Sequence, residues 1–177
     1  FEPRKGYGAA YLKGLGAASG KFIVIGDSDN TYDFYDTPKF LDSLRKGYDF
    51  VVGSRFKGEM KKGAMSWSHR YIGNPILSGM CRLFFRTQLS DIHCGMRAFS
   101  ADAFRKMRLS TLGMEFATEM VVFALMNNLK ICEVPVDYHP RKGKSKLSPL
   151  YDAWRHVRFM LLYCPLWLYV IPGFFGF

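Results

Sequence analysis

With 177 residues, 49% of them hydrophobic and 23% charged, the chain can bury a core but is too short for two well-separated domains. Its formal net charge of +10 implies an anionic partner: nucleic acid, a phosphorylated ligand or a membrane surface. The four cysteines form no Cys-x-x-Cys pair and no zinc spacing with the four histidines. This argues against a disulfide-stapled or zinc scaffold, and for reduced thiols in a cytosolic environment.

The order of apolar and turn-forming residues predicts alternating helices and strands. Helices are expected over 5–18, 37–46, 67–85, 101–107, 115–128 and from 149 onward. Strands are expected over 22–26, 48–53 and 131–138. Thr37 can cap the second helix with Pro38 at its first position, and Pro135 puts the last strand near a sheet edge. This alternation predicts an α/β sheet with helices on both faces, whose ligands gather at the carboxyl ends of strands.

Two carboxylates stand one residue apart at the exit of the first predicted strand. Asp27 and Asp29 flank Ser28 directly after a short apolar run. Mg²⁺ and Mn²⁺ favour oxygen ligands and are commonly held by one or two carboxylates together with substrate phosphates. The sequence therefore predicts a metal site here; an acidic turn that satisfies its own backbone groups is the alternative.

Cationic side chains follow the other strands. Arg55 comes directly after the second predicted strand, and Arg70 lies on the helix after the next loop. Beyond the third strand, the segment 141–146 interleaves four cations with a glycine and a serine. A guanidinium fork suits phosphate oxygens, and small residues let backbone amides approach an anion. For most of the lysines a solvated charged face is the alternative.

Several motifs in order carry a resemblance to a known family. They are Lys5-Gly6 with Ala17-Ala18-Ser19-Gly20, Asp27-Ser28-Asp29, Gly53-Ser54-Arg55-Phe56, Arg70 with Gly73-Asn74, Asp91 with Cys94-Gly95-Met96-Arg97-Ala98-Phe99, Glu119-Met120, and Arg141-Lys142-Gly143-Lys144-Ser145-Lys146. Over nearly its whole length the chain resembles family 2 glycosyltransferases, most closely the polyprenyl-phosphate, dolichol-phosphate mannosyltransferase-like branch.

This resemblance implies a GT-A (Rossmann-like) fold and a nucleotide-sugar donor of the GDP-mannose or UDP-glucose type. It also implies inverting, metal-dependent transfer to a polyprenyl (dolichyl or undecaprenyl) phosphate at the cytoplasmic face of a membrane. The family's amino-terminal strands, which hold the base and the ribose, are missing here. The expected domain over 1–148 is therefore a partial GT-A catalytic domain.

The donor side is expected around the acidic pair. By the resemblance, Asp29 is the more direct ligand of Mg²⁺ or Mn²⁺, and Asp27 also binds the metal and the donor. Negative charge builds on the nucleoside diphosphate as the glycosidic bond breaks, and a metal held by the two carboxylates would neutralise it. Arg55 completes the expected donor-binding set.

The acceptor side is expected to be cationic. A lipid monophosphate is largely dianionic near neutral pH, because its second pKa is about 6, so it needs cations more than a general base. The expected acceptor phosphate ligands are Arg70, Arg141 and Lys146, with Arg55 beside them. Arg97 is added because its segment shapes the acceptor side in the family.

A related transferase acting on the hydroxyl of another lipid or of a glycan is the alternative. A hydroxyl acceptor needs a general base, for which Asp91 is the first catalytic candidate and Glu119 the second. Against these roles, Asp91 could be an ordinary capping or loop residue, and Glu119 could pair with a structural cation.

The end of the chain, 159–177, is uncharged and rich in Leu, Tyr, Phe and Trp, and its length approaches the ~20 residues that span a bilayer as a helix. Two prolines inside it argue for an interfacial or re-entrant helix as an alternative, and a core helix is a third possibility. The positive-inside rule puts three preceding side chains at cytoplasmic headgroup level: Arg155, His156 and Arg158. We expect 149–177 to form a juxtamembrane amphipathic helix and the start of a membrane segment.

Two other functions fit the sequence less well. A basic nucleic-acid-binding protein would interleave cations with exposed aromatic residues, whereas here the aromatics cluster in the tail and the acidic pair would repel a polyanion. Processive synthases of the same family carry Gln-x-x-Arg-Trp before the membrane region, but residues 152–155 read Asp-Ala-Trp-Arg. The sequence therefore favours a single sugar transfer and no nucleic-acid partner.

Overall fold

The computed structural model describes residues 6–143, 149–164, 166–170 and 173–174. Its α-helices are α1 (Tyr7–Ala17), α2 (Thr37–Arg45), α3 (Asn74–Phe85), α4 (Ala101–Met107), α5 (Phe116–Met126) and α6 (Pro149–Tyr163). Its strands are β1 (Phe22–Ile25), β2 (Phe50–Ser54), β3 (Arg97–Ser100) and β4 (Ile131–Pro135). Shorter helical turns cover Phe34–Asp36, His69–Gly73 and Leu166–Val170.

The strands form one mixed sheet in the order β1-β3-β2-β4. β3 is antiparallel to both of its neighbours, and β2 is parallel to β4. The strands β1, β2 and β4 therefore end at the same edge, and β3 begins there. This confirms the prediction that the polar residues following the three predicted strands share one edge of the sheet.

The strand β3 is the element that the sequence did not predict. Its four residues pair with β1 on one side and three of them pair with β2 on the other, so that Arg97 lies beside Ile25 and Val52. A four-residue strand with an arginine at one end and a serine at the other lacks the apolar run that identifies a buried strand. The strands that β3 pairs with are also far away from it in the chain. Because β3 is antiparallel to both of them, the sheet is mixed.

Helices cover both faces of the sheet, as predicted. The side chain of Arg97 donates to a backbone carbonyl of α5, whereas that of Cys132 lies next to Ser43 of α2. In the paired register Arg97 lies beside Val52, and Cys132 lies beside Val51. Neighbouring residues of a strand point to opposite faces, so α2 and α5 lie on opposite sides of the sheet. The apolar sequence of α5 is explained by its contacts with α1, α3, α4 and α6.

Two predicted elements differ from the observed ones. The helix expected over 67–85 is a π-helical turn followed by α3, and the N–H of Asn74 bonds five residues back to the carbonyl of His69. Pro75 follows and has no N–H with which to continue the earlier turn. The strand expected over 131–138 ends at Pro135, beyond which Tyr138 forms an isolated bridge to Met60.

The helix α6 is amphipathic. His156, Phe159 and Met160 are buried against the domain, whereas several large side chains remain exposed: Leu150, Tyr151, Trp154 and Leu162. Among the described residues, no helix has both the length and the apolar character needed to cross a bilayer. The membrane segment expected near the end of the chain therefore stays a prediction, as do the domain limits 1–148 and 149–177.

Candidate active site

Two chain segments meet at the sheet edge where β1, β2 and β4 end. The acidic loop is residues 27–31, after β1, and the basic arm is residues 136–143, after β4. Backbone N–H groups of the basic arm donate at 2.9 Å to carbonyl oxygens of the acidic loop: His139 to Thr31 and Lys142 to Asp29. Arg55 follows β2 at the same edge. Carboxylates and guanidinium groups that are distant in sequence are thereby brought together.

Asp27 is the more enclosed carboxylate of the acidic loop. Its Oδ1 accepts hydrogen bonds from the hydroxyl of Tyr11 at 3.0 Å and from that of Tyr7 at 3.4 Å. Its Oδ2 lies against Gly95, where an added Cβ would be only 2.2 Å away, so that a side chain at position 95 would displace the carboxylate. Burial raises the pKa of Asp27, although the tyrosine hydrogen bonds oppose the shift.

Asp29 is the more accessible carboxylate. Its Oδ1 accepts from the hydroxyl of Thr31 at 2.6 Å and from the Thr31 N–H at 3.2 Å. Its Oδ2 lies 2.7 Å from Nη2 of Arg141, and the two side chains are 22% and 33% exposed. Burial alone would raise the pKa of Asp29, but the Thr31 hydrogen bonds and the charge of Arg141 outweigh it and lower the pKa. Asp29 is therefore held ionised, which a metal ligand requires.

The acidic loop fits a divalent cation that is bound mainly through substrate phosphates. The structure describes no cluster of three or more His, Cys, Asp or Glu side chains around a metal position. Two carboxylates suit Mg²⁺ or Mn²⁺, which take their remaining oxygen ligands from phosphates and water. The guanidinium of Arg141 already contacts Oδ2 of Asp29, so a metal would compete with it for that oxygen.

Arg55 and Asp91 form a buried ion pair at this edge. The Nε and Nη2 of Arg55 each donate to Asp91 at 2.7 Å, and the Arg55 backbone N–H donates to it at 3.1 Å. The guanidinium also stacks 5.2 Å from the ring centroid of Tyr138. Because both oxygens of Asp91 are bonded to Arg55, the geometry does not support the prediction of Asp91 as a general base. Arg55 lies where a donor ligand was expected, but its fork is occupied by Asp91.

Glu133 of β4 positions the loop that carries Asp91, and sequence reasoning did not find it. Its carboxylate accepts from the backbone N–H of Ser90 at 2.6 Å and of Asp91 at 3.0 Å, and it pairs with Lys57 at 2.7 Å. Its side chain is 3% exposed. The available signal was a lone carboxylate in the middle of an apolar strand, since buried charges are kept only where they are paired.

Arg97 has a structural role in place of the predicted contact with the acceptor phosphate. It is 1% exposed, and its guanidinium donates to three backbone carbonyl oxygens at 2.6–2.8 Å: Cys94, Ala117 and Ile92. These bonds tie the loop before β3 to α5. A side chain committed to three carbonyls inside the core is not available to an acceptor.

Glu119 also differs from its predicted role as a second general base. It is buried on α5, where its carboxylate accepts from the backbone N–H and the hydroxyl of both Ser110 and Thr111. The partners are neutral, so the structural cation considered as an alternative is not what it binds. Its four hydrogen bonds anchor the loop between α4 and α5, and this explains a buried carboxylate without catalysis.

The two other predicted acceptor ligands are not joined to this cluster by the described contacts. Arg70 lies on the π-helical turn, with its guanidinium 5.4 Å from the ring centroid of Tyr71. Lys146 lies outside the described residues. Their roles therefore stay predictions.

A buried histidine pair joins the loop before β3 to α6. The rings of His93 and His156 are 4.4 Å apart between centroids, and the hydroxyl of Thr118 lies 2.7 Å from Nδ1 of His156 and 3.3 Å from Nε2 of His93. Burial lowers the pKa of His156 to about 4 and that of His93 well below its ordinary value. Both rings are therefore neutral at physiological pH. His156 faces the core, whereas the sequence analysis predicted it at the level of the lipid headgroups.

The sequence comparisons identify the family. The profile of "Glycosyl transferase family 2" matches residues 1–108. The chain is 46% identical over 171 residues to the low-salt glycan biosynthesis hexosyltransferase Agl6 of Haloferax volcanii, with 96% of this chain and 41% of that protein covered. It is 31% identical over 149 residues to a dolichyl-phosphate hexose transferase of the same organism, and this alignment covers 84% of this chain and 63% of that protein.

Solved structures agree on the fold. Glucosyl-3-phosphoglycerate synthase from Mycobacterium tuberculosis in complex with phosphoglyceric acid superposes with a TM-score of 0.65 at 19% identity, covering 92% of this chain and 56% of that one. A complex of that synthase with Mn²⁺, UDP-glucose and glycerol 3-phosphate gives a TM-score of 0.64 at 18% identity, with the same coverage.

The mixed sheet with helices on both faces is that of GT-A glycosyltransferases. The chain belongs to glycosyl transferase family 2. It spans less than half the length of Agl6, and 44% of the glycosyltransferase AglJ of H. volcanii, to which it is 36% identical over 134 residues.

Proposed function

We propose that this chain is the catalytic region of a hexosyltransferase that moves a sugar from a nucleotide-sugar donor to a polyprenyl phosphate, with inversion and with Mg²⁺ or Mn²⁺. The observation that carries the proposal is the 2.7 Å contact between Asp29 and Arg141 at the edge where three strands end. It puts a carboxylate suited to a metal beside a guanidinium suited to a phosphate. The transfer needs these two groups side by side, because donor and acceptor are both anions.

In this proposal, Asp27 and Asp29 would hold the metal, which would supply positive charge to neutralise the departing diphosphate. Arg141 faces the same position from the basic arm and receives the acceptor phosphate. The charge of Arg141 offsets the repulsion between the two phosphates, and one in-line displacement then inverts the anomeric centre. Arg70 and Lys146 remain proposed acceptor ligands, and the Arg55–Asp91 pair shapes the floor of the site.

A phosphate acceptor is favoured over a hydroxyl by the state of the two candidate bases. Asp91 is bonded through both oxygens to Arg55, and Glu119 accepts four hydrogen bonds. A hydroxyl acceptor needs a carboxylate that can take its proton, whereas a lipid phosphate attacks already ionised. The name of the dolichyl-phosphate hexose transferase relative agrees with this choice. The exposed apolar side chains of α6 support a place at the membrane surface, which we assign to the cytoplasmic face.

The test is a donor screen with the full-length protein in native membranes. UDP-glucose and GDP-mannose carrying a radiolabelled sugar are supplied with polyprenyl phosphate, and the extracted lipid product is counted. We expect a glycolipid that mild acid cleaves, formed with Mg²⁺ or Mn²⁺ and absent with EDTA. Asp29→Asn should lower the rate by at least about 100-fold, because it removes the ionised ligand.

Asp42→Asn is the matched control, since Asp42 is an exposed carboxylate on α2 whose only ion pair among the described residues is with Arg45 on the surface. Its rate should stay within twofold of the wild type. Activity in EDTA, or an active Asp29→Asn variant, would refute the metal site. A labelled product that resists mild acid would point to the hydroxyl acceptor.

A further inference from the structure

A cavity lies at the opposite end of the sheet from the acidic loop. Its volume is about 510 Å³, and three helix ends line it with eight residues: Arg105, Lys106, Met107, Arg108, Phe123, Met126, Asn127 and Tyr163. The helix α4 follows β3, which runs away from the acidic loop, and α5 ends just before β4 begins. None of the residues assigned to sugar transfer lines this cavity.

The two walls of the cavity differ in chemistry. One is cationic and consists of Arg105, Lys106 and Arg108, all exposed at the end of α4. Arg105 pairs with Asp102 on the surface, whereas Lys106 and Arg108 form no ion pair with any residue that the structure describes. Unpaired cations held close together repel one another and favour an anion between them.

The other wall is apolar. It contains Phe123, Met126 and Tyr163, and Met126 is 53% exposed. The rings of Phe123 and Tyr163 pack edge to face at 4.9 Å, which fixes this wall against the end of α6. After the end of α6, the chain carries two further exposed apolar side chains, Leu166 and Tyr169, which are 59% and 69% exposed.

We propose that this cavity binds the headgroup of an anionic phospholipid. The lipid phosphate lies against Lys106 and Arg108, and the glycerol and the first acyl carbons lie against Met126 and Tyr163. An inorganic phosphate would use the cations and leave the apolar wall exposed, whereas an amphiphile satisfies both. Basic residues next to an apolar membrane-facing surface attract anionic lipids in this way.

The position on α6 agrees with a lipid ligand. This helix begins after the basic arm and ends at the cavity, and its exposed apolar side chains occur near both ends. Its 15 residues span about 22 Å, so the exposed apolar side chains near its two ends lie far apart along the helix. The cavity would therefore fix the end of α6 on the bilayer. The binding itself does not depend on the proposed transfer.

The test measures binding to the full-length protein by native mass spectrometry from a non-ionic detergent, with dihexanoyl-phosphatidylglycerol as the lipid. We expect one bound lipid per chain, and an affinity about tenfold lower in the double variant Lys106→Gln/Arg108→Gln. Arg45→Gln/Lys46→Gln is the matched control, because it removes two exposed cations from the end of α2, on the other face of the sheet. It should bind the lipid as the wild type does.

Further measurements distinguish a lipid site from a site for a free anion. Met126→Gln should weaken lipid binding, and dihexanoyl-phosphatidylcholine at the same concentration should not bind. Inorganic phosphate that displaces the lipid at equal concentration would show a free-anion site and overturn the proposal. An equal loss in the α2 control would show diffuse charge attraction and overturn it as well. Because all the substituted side chains lie at the surface, the thermal unfolding of each variant should match that of the wild type. A loss of binding would then not be a folding artefact.

Discussion

Two arginine–aspartate pairs lie at the same edge of the sheet, and their surroundings differ. In the Arg55–Asp91 pair the side chains are 8% and 0% exposed, and three hydrogen bonds join the two residues. In the Arg141–Asp29 pair they are 33% and 22% exposed and share one contact of 2.7 Å. The first pair links the end of β2 to the loop before β3, whereas the second links two surface segments.

This difference in burial suggests that one pair has a structural role and the other a role in binding ligands. A buried ion pair whose partner is removed leaves an uncompensated charge in the core, so its geometry must persist throughout a reaction. A partly exposed ion pair contributes little to folding, and either of its side chains can exchange the other for a ligand. The Arg55–Asp91 pair therefore fits a structural role, and the Arg141–Asp29 pair fits the binding of metal and phosphate that we propose.

The largest effect should come from breaking the buried pair. Asp91→Ala leaves the Arg55 guanidinium without its partner and should lower the free energy of unfolding by about 3–5 kcal/mol in urea titrations. Arg55→Met/Asp91→Leu removes both charges and should recover most of that loss. Asp29→Ala, the counterpart in the more exposed pair, should cost only about 1–2 kcal/mol, most of it from the two Thr31 hydrogen bonds that lose their acceptor. Equal losses in the two single variants would remove the distinction between the pairs.

The second-largest effect should be a pH dependence of folding stability. It tests whether the histidine pair His93–His156 is part of the buried structural core, as the Arg55–Asp91 pair is. His156 has a pKa of about 4 in the folded chain, against 6.5 when unfolded. Between these values the unfolded state binds a proton that the folded state does not, so stability falls as the pH falls from 6.5 to 4, by about 3 kcal/mol in full. The lowered pKa of Asp29 keeps the exposed pair ionised in this range.

The measurement compares urea unfolding at pH 7 and pH 5 for the wild type and His156→Gln. Glutamine can keep a hydrogen bond with Thr118 but cannot titrate. The wild type should lose about 2 kcal/mol more than the variant over this interval. Identical pH dependence would show that His156 is already accessible to protons in the folded state.

The same contrast explains what the sequence could predict. The acidic loop and the basic arm were found because each follows a strand, and the strand direction brings such segments together. The helices on both faces followed from the alternation of apolar runs. Asp29 and Arg141 could be proposed as site residues because each lies in a loop at a strand end, where the composition is visible locally in the sequence.

The framework residues were harder to assign because their role depends on burial by distant segments. Arg97 and Glu119 look like candidate site residues in the sequence, but the structure surrounds them with backbone groups that come from other elements. The strand β3 was missed for the same reason, since its two neighbours supply its pairing. A charged side chain near a predicted site can serve the ligand or the fold, and the sequence alone does not separate these roles.

The smallest effect on folding, and the most informative for function, should come from Arg141→Ala. Removing this half-exposed partner should change the free energy of unfolding by less than about 1 kcal/mol. It also frees Oδ2 of Asp29, so Mn²⁺ should bind the donor-free protein more tightly, by about threefold, as measured from the EPR signal of free Mn²⁺. The KM for polyprenyl phosphate should rise about tenfold, because the proposed phosphate ligand is lost.

Lys142→Ala is the matched control for this variant. Lys142 is the next cation of the basic arm, and its contact with the acidic loop is the hydrogen bond from its backbone N–H to the Asp29 carbonyl, which alanine retains. It should leave Mn²⁺ affinity unchanged and raise the KM by less than twofold. If the two variants behave alike, the arm acts as a diffuse positive surface. If only Arg141→Ala raises both the Mn²⁺ affinity and the KM, then Arg141 competes with the metal for Oδ2 of Asp29 and also binds the acceptor phosphate. The buried Arg55–Asp91 pair cannot fill that role, because its two side chains are bonded to each other.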